Sequence, residues 1–286
     1  MKQALALIII KILLRVIHHL PLGTLHRLGQ ILGWALYHWP SHKHTIIQGN
    51  LKRAFPHRNA EAIDHLHRQN TTEMACFALE SGLVWHASKD KLLASIKDVS
   101  GWEHVVNAQQ TGRGILLVGA HLGNWEILNL YCMLKLQMVA LYKAPQNEAF
   151  NAWIKDARER FGGLLIPSGS QSMRHLLKTL KNGGTAGIIA DQRPRLGDGV
   201  IASFFDSPAL TMTLVGRLAQ RTGCTVLLAS CTRQHRQGFA IEISPVSHAI
   251  ADPEPTVAAN ALNTAIEASV RQHPEQYLWR YPRFED

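Results

Sequence analysis

His121 and Glu126 stand five residues apart in the run Gly119-Ala120-His121-Leu122-Gly123-Asn124-Trp125-Glu126. A neutral imidazole can take a proton from a hydroxyl, and a carboxylate on its other nitrogen fixes the tautomer and stabilises the imidazolium that forms. These residue types suit general-base chemistry on a hydroxyl, with Glu126 expected to hold the His121 ring. The apolar segment Ile115-Leu116-Leu117-Val118 comes directly before and reads as a buried strand ending in a tight turn, with a helix starting near Asn124. That order puts His121 where the strand's carboxyl end meets a crevice and Glu126 in the first turn of the helix. Gly119 and Gly123 flank the histidine and let the backbone turn with little bulk where a substrate must come close. Trp125 reads as a core anchor or as one wall of the site, with the core reading preferred.

The segment His121-Leu122-Gly123-Asn124-Trp125-Glu126 resembles the His-x-x-x-x-Glu/Asp motif of the lysophospholipid acyltransferase superfamily. More narrowly it resembles the lipid A biosynthesis late acyltransferases of Gram-negative bacteria, the lauroyl and myristoyl transferases. The likeness runs along most of the chain. It takes in Asn50-Leu51 to Phe55-Pro56, Glu80 to Trp85, Ala140-Leu141-Tyr142-Lys143, Ala190-Asp191-Gln192, Phe204-Phe205 and the ending Pro274-Glu275-Gln276-Tyr277-Leu278-Trp279 to Arg283-Phe284. The histidine motif is shared by many glycerolipid acyltransferases, whereas the Asp-Gln segment and the Pro-Glu-Gln-Tyr ending in the same order are far more specific.

The resemblance implies an α/β/α sandwich like the glycerol-3-phosphate acyltransferase fold, with an N-terminal membrane-anchoring helix. It implies an acyl carrier protein thioester as donor, a Kdo-bearing lipid A precursor as acceptor, no cofactor, and attachment to the cytoplasmic face of the inner membrane. The sequence departs from the family pattern at Lys143, where Arg is usual, and at Tyr281-Pro282, where a charged residue is usual. Lys keeps the charge but loses the bidentate fork of Arg. A lysophospholipid or other glycolipid acyltransferase shares the chemistry. No Gly-x-Ser-x-Gly elbow is present to supply a serine nucleophile for a hydrolase. A membrane-surface binding protein without activity is the non-enzymatic alternative, and the presence of both His121 and Glu126 argues against it.

Composition restricts the reading independently. With 286 residues, 46% of them hydrophobic, the chain can bury one sizeable α/β core. Thirty Lys and Arg against 21 Asp and Glu give a charge of +9, which suits anionic headgroups, phosphorylated substrates or an acidic carrier. The basic residues are dispersed and form no arginine-rich arm, zinc finger or RNA-recognition signature, so nucleic acid is excluded as the expected partner. Cys76, Cys132, Cys224 and Cys231 form no Cys-x-x-Cys pair and read as small buried hydrophobes in a reducing compartment. The histidines of the N-terminal third, His18-His19, His57, His65, His67 and His86, include no His-Glu-x-x-His and read as solvated or interfacial, with no metal site expected.

From Ala4 to Leu20 the chain is apolar except for Lys11, Arg15, His18 and His19, which recur at helical spacing. The stretch is too short and interrupted for a comfortable bilayer span of about 20 residues. It suits an interfacial anchor, residues 1–22, with Lys11 and Arg15 reaching toward anionic headgroups. The same interruptions, and the lack of a small-x-small cleavage site, disfavour a signal peptide. Residues 23–286 then form a single acyltransferase domain, helical to about 100 and mixed α/β from about 101. Helices are expected over Leu25–Trp39, Ile46–Ala54 and Ile63–His86, the last burying Ile63, Leu66, Met74, Phe77, Val84 and Trp85. Strands are expected at Met138–Tyr142, Leu164–Ile166, Thr185–Ala190, Thr225–Ala229 and Phe239–Ile243, alternating with amphipathic helices.

Strand ends nominate the rest of the site. Lys143 follows one strand and Asp191, Gln192 and Arg193 follow another, so these join Gly123 and Asn124 as expected substrate-binding residues. Backbone amides at Leu122 and Gly123, or Lys143, are the nearest donors for an oxyanion. Arg174 and Lys178 form a basic stripe on one helix and Arg217 and Arg221 on another, either of which would dock an acidic carrier protein.

Overall fold

The structure is a computed structural model that describes residues 11–169 and 171–284. The first ten residues of the expected anchor lie outside the described residues. Residues 11–17 form a helix, α1, whose Leu14 and Ile17 are buried beside Leu25, Leu79, Trp85 and Trp153 while Ile12, Leu13 and Val16 face solvent. Lys11 sits over the Trp153 ring at 5.1 Å from its centroid, and Arg15 is exposed. Among the described residues no helix is long and apolar enough to cross a membrane.

Helices α2 (Leu22–His38), α3 (His42–Ala54) and α4 (Ala60–His86) start three or four residues before their apolar periodicity does. Polar caps account for two of these early starts. Ser41 accepts from the Lys43 amide and Asn59 from the Ala62 amide, satisfying donors that the first turn leaves free. Ile63, Leu66 and Val84 of α4 are buried as expected, but Met74, Phe77 and Trp85 are only partly so. Glu73 and Glu80 take buried places on the same helix. His67, expected to be solvated, is also buried, against Tyr37 and His44, and burial followed by the nearby His44 pulls its pKa down to about 4.

The chain continues through α5 (Lys89–Ser95), β1 (Ile96–Ser100), α6 (Trp102–Gln110), β2 (Ile115–Gly119), α7 (Trp125–Leu136), β3 (Val139–Tyr142), α8 (Glu148–Glu159), β4 (Leu164–Pro167) and α9 (Ser172–Lys181). Then follow β5 (Thr185–Ile189), β6 (Gly199–Phe204), β7 (Ser207–Met212), α10 (Leu214–Thr222), β8 (Thr225–Gln234), β9 (Gly238–Pro245) and α11 (Pro255–Gln272). Among the described residues seven strands make one sheet in the order β1-β9-β8-β2-β5-β3-β4, parallel throughout except for the β8–β9 pair.

Alternation along the central strand β2 assigns the faces. Leu116 and Val118 join the core with α9, α10 and α11 through Leu176, Val215, Leu218, Leu262 and Ile266. Ile115 and Leu117 join the opposite core with α6 and α7 through Val105, Ile127 and Leu130. The sheet is thus covered by helices on both faces, the layering expected of the mixed α/β part.

The sequence reading missed three strands. β1 is a polar edge strand, Ile-Lys-Asp-Val-Ser, without apolar alternation. β6 and β7 form a separate hairpin whose turn carries Phe205 and Asp206 at φ 50° and 56°, where no glycine signals the reversal.

Candidate active site

β2 lies between β8 and β5, and its carboxyl end opens onto the crevice expected at the ends of parallel strands. The turn that follows is held from two sides. The Gly123 amide donates to Gln276 O (3.0 Å), the Asn124 amide to Cys231 O (2.7 Å), and the Leu278 amide to His121 O (3.0 Å). Gly123 has φ +61°, and a Cβ there would fall 2.1 Å from the Cys231 carbonyl, so only glycine fits. The Asn124 side chain caps α7 by accepting from the Ile127 amide (3.1 Å) and donates to Glu80 Oε2 (2.8 Å).

The carboxylate on His121 belongs to Asp191, not to Glu126. His121 Nδ1 is 2.7 Å from Asp191 Oδ1, and the His121 amide donates to the other oxygen, Oδ2, at 2.9 Å. Asp191 follows β5, whose register with β2 pairs Gly119 with Ile189, so the two residues emerge side by side. Glu126 faces another way because the guanidinium of Arg158, from α8, grips both its oxygens; Arg158 Nε donates to Oε2 at 2.8 Å.

Burial works against an imidazolium at His121, but the charge and hydrogen bond of Asp191, then the charge of Glu126, outweigh it and raise the pKa above the ordinary value. Burial likewise opposes an Asp191 carboxylate, and His121, with a smaller share from Arg283, overcomes this and lowers its pKa. Arg158 stays a cation, since Glu126 outweighs the cost of its burial.

His121 Nε2 is turned away from Asp191 and lies 3.4 Å from Gln192 Nε2, a long contact. Both residues line a cavity of about 960 Å³ with Trp125, Glu126, Lys143, Arg158 and Tyr281 among its walls. Trp125 takes the second of its two sequence readings: it is a partly exposed wall, edge-on to the His121 ring at 4.9 Å and stacked on Phe77 at 4.0 Å. Lys143 and Arg193 reach the cavity from exposed loop positions. Tyr281, at one of the departures from the family pattern, lies inside the site.

Gly123 and Asn124, expected to touch substrate, are buried beneath the turn and do not line the cavity. The Gly123 amide already donates to Gln276 and has no hydrogen left for an oxyanion. Arg174 and Lys178 are exposed on α9 away from the cavity, whereas Arg217 and Arg221 of α10 line it. Among the described residues no group of His, Cys, Asp and Glu is arranged to hold a metal ion.

Sequence reasoning missed the charged support under the site. Arg233 of β8 is fully buried, with its guanidinium bonded to both oxygens of Glu80 and to Glu73. His26 of α2 lies 2.8 Å from Glu80, and His235 2.6 Å from Glu73. Arg233 outweighs the burial penalty on Glu80 and holds its pKa down, so Glu80 remains a carboxylate for Asn124. The Arg233 backbone also exchanges two bonds with the Gln276 amide, at 2.8 and 3.1 Å, which fixes the C-terminal segment against the His121 turn. Glu80 and Gln276 stand in segments that carried the family resemblance; Glu73 and Arg233 gave no signal.

Residues 2–286 match the family described as bacterial lipid A biosynthesis acyltransferase. The chain is 26% identical over 267 residues to the lipid A biosynthesis palmitoleoyltransferase of Escherichia coli strain K12, covering 93% of this chain and 86% of that protein. It is 25% identical over 270 residues to the lauroyltransferase of the same organism, again covering 93% and 86%. A lipid A biosynthesis acyltransferase of Haemophilus influenzae is 25% identical over 249 residues, 84% of this chain and 76% of that protein. This chain is therefore an acyltransferase and belongs to the bacterial lipid A biosynthesis acyltransferase family.

Proposed function

We propose that the chain transfers a fatty acyl group from an acyl carrier protein thioester to a hydroxyl of a Kdo-bearing lipid A precursor, with His121 as general base. The observation that carries this reading is the His121 ring itself, bonded through Nδ1 to Asp191 and presenting Nε2 at the cavity. With Asp191 accepting from Nδ1–H, Nε2 has the lone pair that takes the hydroxyl proton. The oxygen attacks the thioester carbonyl and forms the new C–O bond. The tetrahedral intermediate then collapses, the C–S bond breaks, and the leaving thiolate recovers the proton from the imidazolium. Lys143 and Gln192 are the side-chain donors available for the oxyanion.

The cavity's arginines suit the phosphates and carboxylates of such an acceptor. Arg217 and Arg221 are better placed than Arg174 and Lys178 for an acidic carrier, since they stand at the cavity itself. Glu126, through Arg158, shapes the wall on which the acceptor rests. Glu126→Gln is expected to lower transfer roughly ten- to a hundredfold, the worth of a hydrogen bond between charged groups. A loss as large as that of His121→Ala would put Glu126 in the proton transfer instead.

Incubating the purified protein with acyl carrier protein thioesters and competing acceptors tests the reading by product mass. One added acyl chain on the Kdo-bearing precursor is expected; preferential acylation of a lysophospholipid would select the alternative. We also place the protein on the inner membrane through residues 1–22. Exposed Ile12, Leu13 and Val16 leave apolar surface for an interface, and deleting Met1 to Leu20 is expected to release much of the protein in a membrane flotation assay. Unchanged flotation would assign attachment to other surfaces.

A further inference from the structure

We propose that Glu80 is a positioning residue for the acyl transfer: through Asn124 it fixes the start of α7 and so holds the His121 ring on Asp191. The proposal rests on the reading of His121 as the base. Glu80 is wholly buried on α4 and does not line the cavity. Four donors meet its two oxygens. Oε1 accepts from Arg233 Nε and from His26 Nε2, and Oε2 from Arg233 Nη2 (2.6 Å) and Asn124 Nδ2 (2.8 Å). The His26 proton is on Nε2, because its Nδ1 accepts the Arg236 amide at 2.9 Å.

Asn124, buried at the N-terminus of α7, has one orientation open to it. Its Oδ1 accepts the Ile127 amide at 3.1 Å, which satisfies a donor that the first turn leaves free, and its NH₂ therefore faces Glu80. Turned over, the amide would set donor against donor at Ile127 and oxygen against carboxylate at Glu80. The next two residues are walls of the site: Trp125 stands edge-on to the His121 ring, and Glu126 is held by Arg158. The backbone of the same turn hangs from β8, where the Asn124 amide donates to Cys231 O two residues before Arg233. One buried ion pair thus grips the turn twice, by the Asn124 side chain through Glu80 and by the Asn124 backbone through the strand that carries Arg233.

The need for a carboxylate at position 80 follows from the donor count. An amide of the same shape has one acceptor oxygen, and its NH₂ would confront either His26 and Arg233 or Arg233 and Asn124. Stability alone does not call for such a pair, because apolar residues of similar volume in place of a buried ion pair often leave a protein as stable or more so. What apolar residues cannot supply is an acceptor that selects one orientation of Asn124. His121 carries the consequence, since a displacement of about 1 Å at a reacting group can cost about a hundredfold in rate.

Asn124→Ser and Glu80→Gln test the assignment. Serine keeps the helix cap and loses only the bond to Glu80, so Asn124→Ser is expected to melt close to wild type. Its kcat is expected to fall roughly ten- to a hundredfold with KM little changed. A looser bond between His121 and Asp191 leaves burial to act on the ring, so the acid limb of kcat/KM is expected to move down in pH. The low-field proton NMR resonance of His121 Nδ1–H, identified by its absence from His121→Ala, is expected to move upfield or vanish by exchange. Glu80→Gln is expected to do the same, and if it does not fold, Asn124→Ser decides.

A folded Asn124→Ser variant with wild-type kcat, acid limb and ring resonance overturns the proposal and leaves the reaction intact. Lower thermal stability with those three unmoved makes Glu80 a purely structural residue and overturns the proposal equally. A ring resonance that moves in the variants of a protein that transfers no acyl chain to any acceptor upholds the positioning and overturns the reaction.

Discussion

Asp191→Asn is expected to lower kcat about ten-thousandfold, the scale seen when the carboxylate behind a catalytic histidine is replaced by an amide in serine proteases. Both oxygens of Asp191 accept hydrogen bonds from His121, one from the ring Nδ1 and one from the backbone amide. An amide has only one acceptor. If its oxygen faces the backbone, its NH₂ faces Nδ1 and forces the proton onto Nε2, so the lone pair needed for the hydroxyl is lost. If it turns the other way, two donors meet at the His121 amide and a buried contact is broken. Steady-state transfer, with a thermal melt to confirm folding, measures the effect. A variant within tenfold of wild type would remove Asp191 from the mechanism.

His121→Ala is expected to cost between about a hundredfold and ten-thousandfold in transfer, the usual worth of a general base. The ring stands at the cavity wall instead of within either apolar core, so its removal leaves the packing of β2 and α7 in place. Asp191 then loses its largest charge partner and its pKa rises toward that of an ordinary buried carboxyl, but it stands too far back to replace the imidazole. Near-normal turnover by the purified variant would end the general-base account.

The location of the site was legible because it depends on local rules. An apolar run, a glycine-flanked turn and a capped helix place His121 at a strand end, and the same rule brings Gln192 and Lys143 to the cavity, with Asp191 buried behind the His121 ring. The identity of its carboxylate was not legible. Glu126 is near in sequence and Asp191 is 70 residues away, and only the β2–β5 pairing shows which of them meets the ring. Arg158 lay in a helix read for its apolar face alone, so nothing pointed to its grip on Glu126. The buried Glu73, Glu80 and Arg233 escaped for a related reason. Charges spaced along a long helix read as a solvated face until a partner on a distant strand neutralises them. The polar second half of β8, which supplies that partner, was cut short at Ala229 for the same lack of apolar signal.

The dependence of kcat/KM on pH, in wild type and in Asp191→Asn, tests most directly whether His121 held by Asp191 is the base. A base must be neutral to act, and Asp191 outweighs burial to raise the His121 pKa, so activity should fall with acidity through a value above the ordinary 6.5 of histidine. Removing the carboxylate's charge leaves burial dominant, so the residual activity of Asp191→Asn should hold to a lower pH. An acid limb at or below the ordinary value, unmoved by Asp191→Asn, would contradict the account.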